Sequence, residues 1–252
     1  MAHIAKMQGY CQPMLENTGC IHIIHGRHPV HEYIATTTSF IPNDFHLAEH
    51  DCSHLDAPRG QLQRTAVLVG PNASGKSVLL KQIALIVYMA HIGCSVPAKS
   101  ARVGLIDRVL AMGKSTESLS RKMSALSADL SAVAKIVELA SSRSLVLLDE
   151  FGRGTAPVDG VSLLCGILAS LSLRSQNRPS VLAATHFQGK QPRHKQIRAS
   201  NPKLTKPSQG YAVPCLEIEV QHISCVRDIW TRAQVKSMGF KESANGLVYL
   251  YK

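Results

Sequence analysis

Short runs of leucine and β-branched residues alternate along the chain with longer segments in which apolar residues recur every three or four positions. This alternation is typical of βαβ units and predicts an α/β fold with a largely parallel sheet flanked by helices. We expect buried strands at 66–70, 145–148 and 181–185, and helices at 78–90, 126–141 and 159–173. Asp149, Glu150 and His186 directly follow predicted strands, where functional side chains of open α/β sheets collect.

The composition predicts one globular domain. The chain has 252 residues, 45% hydrophobic and 18% charged, which suits one large α/β domain or two small ones. We expect a single domain over 1–252 with a full hydrophobic core. We find neither an apolar run of about eighteen residues nor a secretory signal, which predicts an intracellular protein without a membrane partner. The seven cysteines are scattered singly, which favours reduced thiols over a disulfide framework.

The charge of the chain indicates an acidic partner. The formal net charge is +11, and a surplus of this size attracts polyanions such as DNA. Part of it lies in the polar, proline-containing segment 188–209, which is predicted to be a loop or a disordered insert. A solvated loop and a DNA contact explain that segment equally well. Residues 210–252 are predicted to contain further strands, at 215–224 and 246–250.

One loop carries a phosphate-binding motif. It follows the predicted strand at 66–70, opens the predicted helix at 78–90 and fits the pattern G-x-x-x-x-G-K-[ST]. Its backbone N–H groups would hold phosphate oxygens, Lys76 would reach the β- and γ-phosphates, and Ser77 would coordinate magnesium. The predicted cofactors are therefore ATP and magnesium. The predicted binding residues are Gly70, Pro71, Asn72, Ala73, Ser74, Gly75, Lys76 and Ser77.

Two carboxylates after the strand at 145–148 would complete a hydrolytic site. Asp149 is expected to hold magnesium, usually through water, and Glu150 to orient or deprotonate the attacking water. A solvated strand end is the alternative, but the helical segment between this pair and the phosphate-binding loop favours the functional reading. His186 either senses the γ-phosphate or positions water, or is an ordinary histidine. The predicted catalytic residues are Lys76, Glu150 and His186.

Four histidines recur every three residues, at His22, His25, His28 and His31. On a helix this spacing would suggest a metal-binding face, but Gly26 and Pro29 interrupt any helix through them. We therefore expect no metal site from this series.

The segment from about Tyr10 to His186 resembles the ATPase domain of the MutS family. The resemblance rests on GRHPV at 26–30, GPN at 70–72, VPA at 96–98, GLIDR at 104–108, LLDEFGRGT at 147–155 and ATH at 184–186. It implies an ABC-class P-loop ATPase in which two subunits sandwich two nucleotides. Each phosphate-binding loop is then completed by a signature loop of the partner subunit.

The same resemblance assigns roles to further residues. Ser124 takes the signature-loop position that approaches the partner's γ-phosphate, and Ala125 stands where the family usually has threonine. Phe40 and Ile41 match the segment that packs against adenine, in keeping with the stacking of an aromatic face on a base. Asn72 matches a residue beside the terminal phosphates.

Within the family, the chain is most similar to the meiotic MutS homologue five branch, through GKSV at 75–78, IVYMAHIG at 86–93 and DEFG at 149–152. This similarity implies a nuclear heterodimer with MutS homologue four that forms an ATP-responsive clamp on branched DNA and promotes meiotic crossovers.

Two functions therefore remain open. The first is an ATP-binding and hydrolysing module of a MutS-like DNA clamp, acting in meiotic recombination or in mismatch-repair-like DNA recognition. Hydrolysis by that module is expected to need a partner subunit for full activity. The second is a truncated, non-catalytic nucleotide-binding or partner-binding module. Full-length members have domains before the ATPase and a helical dimerisation segment after it, and we do not expect either in this chain. Another ABC-class ATPase is disfavoured by the absence of an LSGGQ signature.

Overall fold

The structure is a computed structural model that describes residues 2–34, 40–47, 64–71, 74–112, 124–152, 155–174, 177–185, 219–222, 240–242 and 248–250. Its helices are α1 (Ala2–Met7), α2 (Pro29–Ile34), α3 (Lys76–His91), α4 (Ala125–Leu139) and α5 (Pro157–Ser172). Its strands are β1 (Met14–Glu16), β2 (Ile21–Gly26), β3 (Asn43–Leu47), β4 (Thr65–Val69), β5 (Ser100–Gly104), β6 (Arg108–Met112), β7 (Ser144–Asp149), β8 (Ser180–Thr185), β9 (Glu219–His222), β10 (Phe240–Glu242) and β11 (Val248–Leu250). None of these helices has the length and apolar character needed to cross a lipid bilayer.

A five-stranded sheet in the order β6-β7-β8-β4-β9 carries the predicted strands. The first four strands run parallel, and β9 pairs antiparallel with β4. This confirms the predicted α/β fold with a largely parallel sheet flanked by helices, and the predicted helices and buried strands end within two residues of the observed ones. Strands β9 and β11 fall inside the predicted ranges 215–224 and 246–250, whereas β6 and β10 were not predicted.

A second sheet, of four strands in the order β1-β5-β2-β3, was not predicted. We call it the mixed sheet, because β1 is parallel to β5 while β2 is antiparallel to both β5 and β3. Its inward side chains, such as Ile23 and Phe45, are fully buried, whereas the alternate positions His22 and His46 are only half-buried. The expectation of a parallel sheet alone was therefore incomplete.

Helix α3 lies in the core that the two sheets share, and α4 and α5 cover the other face of the parallel sheet. Side chains alternate along β4, β7 and β8, so that each strand contributes to both cores. The first core includes Ile23, Phe45, Leu68, Ile83, Ile86, Leu147 and Leu182. The second includes Val67, Val133, Ile136, Val146, Leu164, Leu168 and Val181. These two sheets and helices α3, α4 and α5 thus form four layers, with α3 between the two sheets, while β10 and β11 pair with each other in a separate two-stranded sheet.

Both ends of α4 are capped by side chains. At its start, Ser124 Oγ accepts a hydrogen bond from the N–H of Ser127 at 3.2 Å. At its end, the Arg174 guanidinium donates to the carbonyl oxygens of Val137 at 2.6 Å and Ala140 at 3.1 Å. The last carbonyls of a helix lack intrahelical partners and carry negative partial charge. Arg174 therefore ties the end of α4 to the end of α5.

Helix α2 begins with a histidine cap. The Nδ1 atom of the buried His28 accepts hydrogen bonds from the N–H groups of Val30 at 3.3 Å and His31 at 3.2 Å. An imidazole nitrogen that accepts cannot carry a proton. Burial, together with the neighbouring His31 and Lys81, lowers the pKa of His28. Both effects favour the neutral ring that the cap requires.

Candidate functional site

The motif at 70–77 comprises the loop that joins β4 to α3 and the first two residues of that helix, as predicted. Gly75, the residue before the helix, has a φ of 95°, which lies in the left-handed region that glycine adopts without strain. No side chain among the described residues caps the first turn of α3, so the N–H groups of that turn point out of the helix end toward the loop. Asn72 and Ala73 lie outside the described residues.

Lys76 is held inside this loop. It is only 3% exposed, and its Nζ donates hydrogen bonds to the carbonyl oxygens of Gly70 at 2.7 Å and Pro71 at 2.7 Å. A buried ammonium group needs such acceptors, because burial of a charge without hydrogen bonds is costly. The positive charge of the loop is therefore fixed where the motif predicts phosphate.

The two residues predicted to bind magnesium meet directly. Ser77 Oγ in the first turn of α3 donates to Oδ1 of Asp149, the last residue of β7, at 2.9 Å. The residues are far apart in sequence, but the carboxyl ends of parallel strands lie at one edge of a sheet. Hydroxyl and carboxylate oxygens are the ligands that magnesium prefers. The arrangement therefore suits a hard divalent cation.

Glu150 follows in a strained backbone conformation. Its φ of 54° is rare for a residue other than glycine, and it is 9% exposed. Its N–H donates to the carbonyl oxygen of Ala184 in β8 at 3.0 Å. Strain of this kind, held by the surrounding structure, clusters at functional sites. The sequence predicted the residue but not its conformation.

Packing fixes the loop that follows Glu150. Phe151 is 1% exposed and lies in the core with α4 and α5. Gly152 has a φ of 79°, and a Cβ atom at this position would lie 2.9 Å from Cα of Gly160 in α5. The loop therefore approaches α5 so closely that only glycine fits at position 152. We did not predict this contact, although the two glycines are the sequence signal that could have indicated it.

Ser74 supplies a further polar group beside the loop. Its Oγ is buried and has no hydrogen-bond partner among the described residues. Because buried hydroxyl groups nearly always have a partner, an oxyanion fits this position. The groups that suit a phosphate-bearing ligand with magnesium are thus Ser74 Oγ, Lys76 Nζ, the first N–H groups of α3, and the oxygens of Ser77 and Asp149.

The remaining predicted residues lie elsewhere. His186 follows the end of β8 at Thr185 and lies outside the described residues. Phe40 is half-buried and Ile41 exposed, just before the edge strand β3. Ser124 is exposed at the start of α4. Their roles toward water, adenine and a partner subunit stay predictions.

The histidine series is divided between two elements. Strand β2 carries His22 and His25 and ends at Gly26, while α2 begins at Pro29. The prediction that no single helix carries the four histidines is therefore confirmed. His28 and His31 contact each other edge to face, with ring centroids 4.5 Å apart. His22 instead contacts His46 of the neighbouring strand, a pairing that the sequence spacing did not indicate.

Comparison with known proteins now decides the family. The chain matches the family model of MutS domain V over residues 66–244, which is more than half of its length. The chain belongs to the MutS family. The family-level resemblance seen in the motifs is thus confirmed.

Three curated MutS relatives show the extent of the similarity. The DNA mismatch repair protein MutS of Desulfovibrio desulfuricans is 38% identical over 187 residues, which cover 74% of this chain and 19% of that protein. The MutS protein of Trichormus variabilis is 41% identical, with 74% and 21% covered, and that of Chlamydia pneumoniae 37% identical, with the same coverage. The chain spans about a fifth of the length of these relatives.

Proposed function

We propose that this MutS-family domain is an ATP-binding and ATP-hydrolysing module of the ABC class of P-loop NTPases, acting within a MutS-like DNA clamp. The hydrogen bond between Ser77 Oγ and Asp149 Oδ1, at 2.9 Å, carries the proposal. It joins the helix that opens after a phosphate-binding motif to the carboxylate at the end of a parallel strand. The buried Glu150 is the next residue along the chain.

Each residue has its own task in this proposal. Lys76 would exchange the carbonyl oxygens of Gly70 and Pro71 for the β- and γ-phosphate oxygens, which accept stronger, charge-assisted hydrogen bonds. Ser77 and Asp149 would hold magnesium, which supplies positive charge that offsets the phosphates. Glu150 would orient the attacking water and accept its proton. His186 would position that water or sense the γ-phosphate.

We also propose the finer assignment to the meiotic MutS homologue five branch. Three segments support it, at 75–78, 86–93 and 149–152. MutS homologue four would then be the partner subunit, branched DNA the nucleic acid and the nucleus the location. The net charge of +11 favours an acidic partner. The names of the bacterial relatives point to mismatched DNA as the alternative target.

A non-catalytic nucleotide-binding or partner-binding module is the second candidate. Ala125 favours it, because this residue replaces the threonine that follows the signature-loop serine in the family. Loss of a hydroxyl group beside Ser124 would weaken the contact with a partner's γ-phosphate. Turnover would then fall while ATP binding is retained.

ATP binding and hydrolysis by matched variants test the proposal. We expect Lys76→Ala to weaken ATP binding at least tenfold, equivalent to about 1.4 kcal/mol, while Lys81→Ala on the exposed edge of α3 leaves it unchanged. Glu150→Gln should bind ATP but not hydrolyse it, and the exposed Glu138→Gln should do both. Unchanged ATP binding by Lys76→Ala would contradict the proposal. Normal turnover by Glu150→Gln would show that Glu150 is not the catalytic base.

A partner experiment separates the two candidates. Hydrolysis is measured with and without MutS homologue four, and binding to branched, mismatched and fully paired duplexes is measured over a range of salt concentrations. Partner-stimulated hydrolysis that Lys76→Ala abolishes supports the ATPase. ATP binding without turnover under both conditions supports the non-catalytic module. A preference for mismatched over branched DNA, or no response to MutS homologue four, contradicts the meiotic branch.

A further inference from the structure

Two histidines face each other across neighbouring strands of the mixed sheet. His22 on β2 and His46 on β3 are direct partners in the antiparallel register. Both are half-buried, on the face of the sheet opposite to the buried Ile21, Ile23, Phe45 and Leu47. Their ring centroids are 4.3 Å apart, and their Nδ1 atoms approach to 2.6 Å. The sheet therefore aims two imidazole nitrogens at one point.

The chemistry of this contact resembles that of an incomplete ligand set. Two Nδ1 atoms at hydrogen-bond distance need one N–H group and one lone pair, so at least one ring is neutral. Loss of that single shared proton leaves both lone pairs directed at the space between the rings. Neutral imidazole is a preferred ligand of copper, nickel and zinc.

The distance between the nitrogens selects among these metals. At a metal–nitrogen distance of about 2.0–2.1 Å, a nitrogen–nitrogen separation of 2.6 Å corresponds to an angle of about 80° at the metal. Opening the separation by about 0.3 Å gives the 90° angle of a square-planar or octahedral ion, whereas the tetrahedral angle of zinc needs about 0.7 Å. The register of β2 and β3 limits such movement, which favours copper or nickel.

Charged side chains of both signs lie around His22. Arg102 on β5 is the register partner of His22 on its other side, and its Nε lies 3.7 Å from Oε1 of Glu16 on β1. Asp44 on β3 accepts a hydrogen bond from the His25 N–H. Burial first, and then Arg102, lowers the pKa of His22, while Asp44 and Glu16 oppose that change. Burial thus favours the neutral form of the His22 ring.

We propose that His22 and His46 form a cross-strand binding site for a divalent late transition metal, with Cu²⁺ preferred. The described residues form no group of three or more metal-binding side chains, so water would complete the coordination there. The site is separate from the 70–77 loop and does not depend on ATP. A bound ion would join the edge strand β3 to β2 and so hold the segment Phe40–Ile41 that leads into β3. His25, His28 and His31 take no part in it.

Copper binding by histidine variants tests this site. Because the chain has twelve histidines, the copper content is compared between variants and the wild type. Bound Cu²⁺ is measured by equilibrium dialysis and elemental analysis at pH 7.5. We expect His22→Gln and His46→Gln each to bind one Cu²⁺ fewer per chain than the wild type, and the double variant to lose no more than either. The exposed His31→Gln on α2 should lose none. Equal copper content in all variants overturns the proposal.

Two further measurements keep the test decisive if the histidine variants fold poorly. Electron paramagnetic resonance of the His3→Gln variant, which has no histidine beside the N-terminal amine to compete for copper, is recorded with less than one equivalent of Cu²⁺. It should show coupling to two imidazole nitrogens, and a spectrum without it overturns the site. Arg102→Gln removes a positive charge beside the pair and should tighten copper binding several-fold, with nickel weaker than copper and zinc weakest. Tighter binding of zinc than of copper contradicts the geometry.

Discussion

Replacing Gly152 with alanine should destabilise the protein by about 2–4 kcal/mol. The φ of 79° lies in the left-handed region, which costs a residue with a Cβ atom about 1–2 kcal/mol. The new Cβ would also lie 2.9 Å from the Gly160 Cα. Backbone atoms of a helix cannot turn aside as a side chain can, so the loop or α5 must shift, at about 1–2 kcal/mol more.

Gly166→Ala is the matched control for this substitution. Gly166 lies in the same helix, α5, but its φ is not positive and nothing lies within 4 Å of a Cβ atom built there. Alanine is favoured over glycine in a helix interior, so this variant should be more stable by about 0.5–1 kcal/mol.

Urea denaturation followed by circular dichroism measures both free energies of unfolding. The sign of the change should differ between the two variants, because only Gly152 combines a left-handed backbone with a close neighbour. A loss below about 0.5 kcal/mol in Gly152→Ala would refute the packing of this loop against α5. Because Gly152 follows Glu150 closely, we also expect Gly152→Ala to reduce ATP hydrolysis more than ATP binding.

Three further predictions concern other contacts. Arg174→Ala should lower the free energy of unfolding by about 1–3 kcal/mol in urea, and Arg174→Lys should recover part of it; no loss would contradict the capping of α4. As pH falls below 6.5, the ordinary pKa of histidine, the unfolded chain should bind a proton before the buried His28 does, so stability should decrease. In His28→Asn the side chain can still cap α2 but does not titrate. The free energy of unfolding of this variant should fall less between pH 7.5 and 5.5 than that of the wild type. An equal fall in both proteins would exclude His28 as the cause. Gln82 is 0% exposed and its amide has no partner among the described residues. Gln82→Met should therefore keep or raise thermal stability. A decrease in the free energy of unfolding of more than about 1 kcal/mol would indicate that a buried water is hydrogen-bonded to the amide.

The sequence predicted the parallel sheet and its loop because their chemistry demands particular residues in a particular order. Strand β7 is a continuous apolar run that ends in a carboxylate, and a phosphate-binding loop needs glycine, lysine and a hydroxyl at set positions. Such patterns are local, so they can be recognised in the sequence without knowledge of the tertiary contacts. The left-handed conformation of Glu150 could not be predicted in this way, because glutamate does not favour it and only the surrounding packing imposes it.

The mixed sheet escaped prediction for a different reason. Strand β1 has only three residues, and histidines interrupt the isoleucines of β2, which weakens the apolar signal. Its order also depends on β5, which comes after β4 and α3 in the chain but pairs with β1 and β2. The contact between His22 and His46 follows from that register alone, so no spacing within the sequence could reveal it.

The position of α3 between two sheets makes this helix a mechanical link. Its sixteen residues span about 24 Å, from Lys76 to His91. The His91 ring donates from Nδ1 to the Val87 carbonyl oxygen and accepts at Nε2 from the Ile106 N–H. A close-packed interior transmits a displacement instead of absorbing it. If Lys76 exchanges its hydrogen-bond acceptors as we propose, we expect the resulting displacement of α3 to reach the segment between β5 and β6. Substitutions beneath the mixed sheet, at Ile23 or Phe45, should accordingly alter nucleotide affinity from a distance.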